Sequence, residues 1–487
     1  MGRLSADNRP VFWGMNERKN LLADQFLLLS SRFTKGTQLS VECEETKGIG
    51  ANFYSQKSRL LKPFFADKII FRKKYFTKER EAAMDAKSIG NTIAKLRKKN
   101  GMTQLALANK LDVSDKAVSK WESGQGYPDI SVFPRLAALF GVSIDYLMLG
   151  EKKGIAIAGN MIVDIVKNID SYPQLGMLSY VSDMSMAVGG CAPNTAINLV
   201  KIDRSIPVSA MGKVGTDDNG RYIISQLLRN GINVDGITYS QDEPTSFTDV
   251  MSMPSGERTF FNKKGANSEF APADIDIENL NCDLLHIGYI LLLDQFDAED
   301  EQYGTVMARF LHDVQAKGIK TSIDVVSDNN ADYGKMIIPA LKYCNYAIMN
   351  EIESCRIWNL DPRLEDGRLN IENIKTAMAN MITAGVADKV VIHSKEASFA
   401  MDAKTGDFAA VPSLKIPSEE IKGSVGAGDA FCAASLYAIY NNFSDTQLLE
   451  FASAAAACNL FAANSVDGMR SKGEIMKMEE QYGRLQL

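Results

Sequence analysis

The chain has 487 residues, 45% of them apolar and 23% charged, with a formal net charge of −6. At roughly 100–200 residues per domain this length calls for two or three cores, and the composition reads as globular. Apolar runs such as Phe26–Leu29 and Tyr289–Leu293 fall far short of the ~20 residues of a membrane span, and Met1-Gly2-Arg3-Leu4-Ser5 leads into no apolar signal core, so a cytoplasmic protein is expected.

In chain order, residues 1–83 show no sustained hydrophobic period. They carry 16 Lys and Arg against 9 Asp and Glu. The stretch Leu60–Phe76 is basic and aromatic, the composition of a nucleic-acid or membrane-surface arm, but the segment reads foremost as a poorly ordered extension. Met84-Asp85-Ala86-Lys87-Ser88 then resembles a natural chain start ahead of a helix.

Residues 84–150 are helical and remain basic, with 9 Lys and Arg against 6 Asp and Glu. Ile89, Ile93 and Leu96 recur at helical spacing, with Lys95, Arg97, Lys98 and Lys99 outside. Gly101 stops that helix, and Thr103 caps a second carrying Leu105, Leu107, Ala108 and Leu111. Asp112-Val113-Ser114 forms a tight turn, and Ser114 caps a third helix running to about Glu122. Two short helices follow, bringing Val132, Leu136, Leu139, Phe140, Ile144 and Leu147 to the core. Helix, tight turn, helix behind a basic first helix is the helix-turn-helix arrangement, in which the second helix of the pair enters the major groove. Gln104 is then expected near a phosphate or base edge, and Lys116, Ser119 and Lys120 on the exposed side of the recognition helix. Met102-Thr103-Gln104, Leu107-Ala108, Val113-Ser114, Val118-Ser119-Lys120-Trp121-Glu122-Ser123-Gly124 and Pro128-Asp129 resemble the Cro/repressor type of helix-turn-helix over about Ile89–Leu149. That resemblance implies a five-helix domain that binds double-stranded DNA as a homodimer. A module that only mediates protein contacts is the alternative.

Residues 154–487 alternate strand and helix signals. Strand-like runs are Ile155–Ala158, Pro207–Met211, Leu284–Ile287, Thr321–Val326, Tyr346–Met349 and Lys389–Ile392. Helical patterns such as Gly220–Asn230, Gly304–Lys317 and Ile371–Ala384 separate most of them, which implies an α/β unit with a mostly parallel sheet. Gly423-Ser424-Val425-Gly426-Ala427-Gly428-Asp429 follows an extended stretch, Leu414–Ile421, and opens an apolar helix, Ala430–Tyr440. Glycines 426 and 428 let backbone N–H groups converge at a helix start, an anion hole for a phosphoryl group in transfer. Asp429 stands where a carboxylate accepts the proton of an attacking hydroxyl. Gly189-Gly190-Cys191-Ala192-Pro193-Asn194-Thr195-Ala196 precedes another helix. Asp164, read as the end of the first strand, is a second group able to hold hydroxyls. Singly, each of these is ordinary turn chemistry. Seven scattered cysteines without a C-x-x-C pair speak against a disulfide framework and against a structural zinc site and favour a reducing cytoplasm, and three histidines speak against a histidine metal centre.

Taken in order, Gly159-Asn160 with Asp164, the Gly189-Gly190 element with Asn194, Gly212-Lys213-Val214-Gly215-Thr216-Asp217, Gly256-Glu257-Arg258-Thr259, Asn350-Glu351-Ile352-Glu353 and Gly426-Ala427-Gly428-Asp429 resemble the ribokinase (PfkB) family of carbohydrate kinases, over about residues 154–475. The resemblance implies a three-layer α/β sandwich with a small β lid, for which Met177–Met186 and Phe247–Asn262 are the natural strands. It implies ATP and Mg²⁺ as cofactors and a sugar substrate. Asp429 becomes the catalytic base and Gly426, Ala427 and Gly428 the anion hole. Asp164, Gly189, Gly190 and Asn194 bind substrate, while Asn350, Glu353 and Ser424 serve the cofactor, Glu353 near the metal. Two departures stand out. Gly423 and Ser424 replace the family's usual Asp and Thr, which leaves a monovalent-cation dependence without support. His393-Ser394-Lys395 replaces a Thr-x-Gly element after a strand, and His393 reads as a packing or surface residue. The expected function is a sugar kinase fused to a DNA-binding domain, a transcriptional regulator coupled to carbohydrate. The alternative is a regulator that senses sugar or nucleotide without catalysis. Fructose, ribose, a keto-deoxy sugar acid and a nucleoside all remain open as substrates.

Overall fold

In the computed structural model, residues 86–149, 153–255, 257–328 and 332–486 are described. The extension 1–83 and Gly256 lie outside the described residues.

Five helices form the first unit: α1 Ala86–Lys99, α2 Gln104–Leu111, α3 Asp115–Glu122, α4 Phe133–Phe140 and α5 Ile144–Leu149. The expected caps are in place. Thr103 Oγ1 accepts from Ala106 N at 3.1 Å and Ser114 Oγ from Ala117 N at 3.2 Å, satisfying N–H groups that a helix start leaves without internal partners. Ile89, Ile93, Leu96, Leu107, Val118, Trp121 and Leu136 converge in one core. Gly90 sits inside α1, where glycine normally weakens a helix. A Cβ there would lie 1.8 Å from the Trp121 carbonyl oxygen, so its absence is what lets α1 and α3 approach.

The larger unit is built on a nine-stranded sheet. Its strands, with the lid strands and crossover helices in chain order, are β1 Ile155–Gly159, β2 Ile162–Ile169, β3 Val181–Gly189, α6 Cys191–Ile202, β4 Val208–Gly215, α7 Asp218–Arg229, β5 Asn233–Ser240, β6 Phe247–Ser252, β7 Arg258–Lys263 and β8 Leu284–Ile290. A two-residue pair follows, β9 Glu299–Asp300 with β10 Gly304–Thr305, and then α8 Val306–Ala316, β11 Lys320–Val325, α9 Tyr333–Leu341, β12 Tyr346–Asn350, α10 Glu351–Arg356, α11 Ile371–Ala384, β13 Lys389–His393, β14 Ala397–Asp402 and β15 Phe408–Pro412. The chain ends its main course with α12 Ala427–Tyr440 and α13 Asp445–Asn459. Strand order is β15-β14-β13-β12-β11-β8-β1-β4-β5. All neighbours from β5 to β13 are parallel, and β14 and β15 are added antiparallel at one edge.

Every residue of β1 is buried, because helices cover both faces. Ile155 and Ile157 pack toward α6, α7, α12 and α13. Ala156 and Ala158 pack toward α8, α9 and α11. The second sheet, β3-β2-β6-β7, is small, and β3 and β7 are exposed over most of their length. Among the described residues no helix is long and apolar enough to cross a membrane.

Several boundaries differ from the sequence expectation. Asp164 is not at the end of the first strand. That strand stops at Gly159, the chain turns through Asn160 and Met161, and Asp164 lies in β2 of the lid. The turn is fixed from outside the segment: Asn160 Oδ1 accepts from Cys191 N at 2.9 Å, and Asn267 brackets the Met161 backbone at 3.0 and 3.2 Å. The lid therefore includes β2, and its other strands are shifted from the expected ranges. The helix expected from Ala430 begins at Ala427, which brings Asp429 into its first turn. The helix expected after Asn194 begins at Cys191 and contains Asn194. Leu414–Ile421 is only partly extended, with one isolated bridge from Leu414 to Arg484 and a 3₁₀ turn at Ser418–Glu420.

Candidate active site

The C-terminal ends of the parallel strands gather the polar groups, as open α/β sheets do. Gly426 caps α12 with φ +76 and ψ 6. That left-handed conformation favours glycine, and a Cβ there would lie 2.3 Å from Ser465 Cβ. The first helical bond of α12 runs from Ala430 N to Gly426 O at 2.9 Å. The N–H groups of Gly428 and Asp429 precede it, so they point out of the helix end where an anion is favoured.

Asp429 is 5% exposed, and two side chains orient its carboxylate. Tyr289, at the end of β8, donates its hydroxyl to Oδ1, and Asn194 donates to Oδ2 at 2.9 Å. Burial pushes the Asp429 carboxyl up to about 6. The hydrogen bonds from Tyr289 and Asn194 oppose that rise, and the charge of Asp164 adds to it. Asp429 thus stays largely ionised near neutrality yet is more basic than an exposed aspartate. Asn194 Oδ1 is buried without a hydrogen-bond partner, an acceptor pointing into the protein that an incoming donor would satisfy.

Burial also raises Asp164 to about 6, against a hydrogen bond with Thr248. Gly189 ends β3 beside it, where a Cβ would meet Asp164 Oδ2 at 2.4 Å, and Gly190 caps α6 against the Asn160 carbonyl. Asp164, Gly189, Gly190, Asn194 and Asp429 thus belong to one region. Asn160 of the Gly159-Asn160 motif belongs to it as well, as do Tyr289, Asn267 and Thr248, which escaped sequence reasoning. No local pattern marks these three, because the fold and not their sequence neighbours places them.

On the other side of Gly428 lies a cavity of about 510 Å³, lined among others by His393, Ser394, Ser424, Ala427 and Phe431. His393 is not a plain surface residue. Its ring lies 4.8 Å from that of Phe431, and burial lowers its pKa to about 4, so it faces the cavity neutral. Asn350 and Glu353 have a local task. They form a capping box on α10, with Asn350 Oδ1 accepting from Glu353 N at 2.8 Å and Glu353 Oε2 accepting from Asn350 N at 3.0 Å. Glu353 Oε1 also accepts from Ser327 Oγ at 2.8 Å. Burial raises the Glu353 carboxyl, and burial together with the Glu353 charge raises that of Asp324 at the end of β11. A divalent cation near Glu353 would relieve that repulsion.

In the helical unit, Lys116, Ser119 and Lys120 are exposed on α3 as expected. Gln104 is not free to reach outward as expected. Its amide donates to Glu122 Oε2 at 2.8 Å, and Arg97 grips the same carboxylate through Nε at 2.6 Å and Nη2 at 2.8 Å. Gln104 therefore belongs to a bracket joining α1, α2 and α3.

A model of the pfkB family of carbohydrate kinases matches residues 152–471, and a helix-turn-helix model matches residues 93–147. The ribokinase of Schizosaccharomyces pombe is 22% identical over 328 residues, 66% of this chain and 96% of that protein. A 5-dehydro-2-deoxygluconokinase of Listeria monocytogenes is 24% identical over 306 residues, 60% of this chain and 86% of that protein. The structure of Arabidopsis thaliana ribokinase complexed with ribose and ATP aligns with a TM-score of 0.55 at 22% identity, covering 67% of this chain and 99% of that one. The shared fold is the ribokinase-like three-layer sandwich.

Proposed function

Because the chain belongs to the pfkB family of carbohydrate kinases, we propose that it transfers a phosphoryl group from ATP to a hydroxyl of a small sugar, with Asp429 as general base. The observation that carries this reading is the buried Asp429 carboxylate, held by Tyr289 and Asn194 at the head of α12, directly after Gly426-Ala427-Gly428. Asp164 and Asn194 would hold substrate hydroxyls, with Gly189 and Gly190 leaving room for the ring. Asp429 would take the proton of the attacking hydroxyl. The outward N–H groups of the α12 start would receive the negative charge that develops on the phosphoryl oxygens.

The cavity beside Gly428 fits a nucleotide: it is of sufficient size, opens onto the anion hole and is walled by Ser424, Ser394 and neutral His393. Bound ATP would supply the phosphoryl group, and Mg²⁺ would neutralise its charge, with Glu353 and Asn350 on the metal's side of the site. The named substrate-side groups are carboxylates and amides, a set suited to a neutral polyol more than to a sugar acid. A coupled ATP assay over ribose, fructose, a keto-deoxy sugar acid and nucleosides tests the reading. Turnover is expected and should be highest on a neutral sugar; a panel without turnover would remove the enzymatic claim.

Residues 84–150 and 154–487 then act as separate functional units. The helical unit is proposed to bind double-stranded DNA through Lys116, Ser119 and Lys120, as a homodimer on a two-fold operator. Binding of sugar or ATP to the kinase unit would alter operator affinity, making the chain a carbohydrate-responsive regulator. Six unpaired cysteines among the described residues suit a reducing cytoplasm.

A further inference from the structure

Behind the base, four buried side chains from four different elements cluster around the His286 ring. His286 of β8 and Cys191 of α6 are 0% exposed, Cys432 of α12 is 1% and Asp324 of β11 is 6%. His286 Nε2 lies 3.5 Å from Cys432 Sγ and 3.6 Å from Cys191 Sγ. One ring nitrogen of His286, the Cys432 sulfur and an Asp324 carboxylate oxygen are all within 4.8 Å of one another, and Cys191 joins this trio through its contact with Nε2. We propose that His286, Cys432, Asp324 and Cys191 form a structural site for a thiophilic divalent cation of the zinc class, distinct from the Mg²⁺ that accompanies ATP.

Three features support a metal over ordinary packing. Zinc bonds of about 2.0–2.1 Å to nitrogen and about 2.3 Å to sulfur, at tetrahedral angles, set nitrogen and sulfur about 3.5 Å apart, which matches both separations here. The other ring nitrogen, Nδ1, lies 3.0 Å from Ser322 Oγ. Donation from Nδ1 to that hydroxyl leaves Nε2 with a bare lone pair, and such an outer hydrogen bond is the usual accompaniment of a ligating histidine. Among the described residues, the Asp324 carboxylate accepts a hydrogen bond only from its neighbour Val325 N, at 2.7 Å. A cation would stabilise the ionised form of this carboxylate, which burial otherwise disfavours. Two thiolates and an imidazole select zinc over magnesium.

Binding would release the two thiol protons and join α6, α12, β8 and β11. Cys432 lies one turn beyond Asp429 on α12, and His286 three residues before Tyr289, so the ion would fix the frame that orients the base without touching substrate. The spacing of the cysteines hid this arrangement, because the fold and not the local sequence brings the ligands together.

The test is metal analysis of the full chain, purified without chelator from zinc-supplemented culture. About one zinc per chain is expected. A Cys191→Ser/Cys432→Ser double variant should lose it, and Cys458→Ser, a cysteine elsewhere in the core, should keep it. A double variant that fails to fold leaves the second measurement decisive. Wild-type protein refolded free of metal and given Co²⁺ should show a near-ultraviolet sulfur-to-cobalt charge-transfer band together with tetrahedral visible bands. Metal-free wild-type protein with no such cobalt band would overturn the proposal. So would zinc that stays bound in a folded double variant.

Discussion

Asp429 accepts hydrogen bonds from Tyr289 and Asn194 while its burial works against the charge those bonds favour. With the carboxyl at about 6, kcat/KM should fall as pH drops through that value, because a protonated base cannot accept the substrate proton. Tyr289→Phe removes a hydrogen bond that favours the ionised form, so the acid limb of the pH–rate profile should move upward. An unmoved limb would show that the phenol does not tune the base. Asp164 gives a stability counterpart. Its folded-state carboxyl, at about 6, is above the ordinary value of about 3.9, so the fold favours its protonated form. That contribution is complete below about pH 4 and is lost as pH rises through 6. Denaturation of Asp164→Asn against wild type should therefore show the variant gaining relative stability between pH 4 and 7, by up to about 3 kcal/mol, and binding sugar less tightly. The Asp and the glycines were legible in the sequence because their spacing is local. Tyr289 and Asn267 were not, because each reaches its partner across more than a hundred residues of chain.

At the level of elements, the helical unit rests on two non-local contacts. Gly90→Ala would force α1 away from the Trp121 carbonyl and should abolish DNA binding in a gel-shift assay while sugar phosphorylation continues. Glu122→Ala would take the carboxylate from the half-buried Arg97 guanidinium, which keeps the Met102 carbonyl, at a cost of about 1–3 kcal/mol in thermal or denaturant unfolding of that unit. Burial works against the ionised form of Glu122, but hydrogen bonds from Arg97 and Gln104 outweigh it and hold the carboxyl below its ordinary value. Its stabilisation is therefore present at neutral pH and lost as pH falls below about 4. Capping residues placed α2 and α3 within a residue or two, since those signals are written into each helix, while α4 and α5 were expected without set bounds. The same reasoning misplaced Asp164, because the strand break at Asn160 is dictated by Cys191 and Asn267 from elsewhere in the chain. It also sent Gln104 toward DNA when its amide is held by Glu122.

Across the whole molecule, a basic helical unit precedes a kinase unit with 29 Lys and Arg against 45 Asp and Glu over residues 151–487. DNA should therefore be drawn to the first and repelled by the second. Operator or nonspecific DNA binding should weaken with salt, and Lys120→Ala should lower the log–log salt slope by about 1 if that lysine meets a phosphate. The alternation of strand and helix, the parallel core and the ordered motifs were all readable, because each crossover carries its own hydrophobic period. The lid was readable only in part, since β2 departs directly from β1 with no turn signal strong enough to separate them. The central claim, phosphoryl transfer with Asp429 as base, is tested most directly by comparing ATP-dependent phosphorylation of the best panel sugar by wild type and Asp429→Asn. Wild type should turn the sugar over, and the variant should lose about 10²–10⁴-fold in rate. Equal rates in the two proteins, or no turnover by wild type on any sugar, would contradict it.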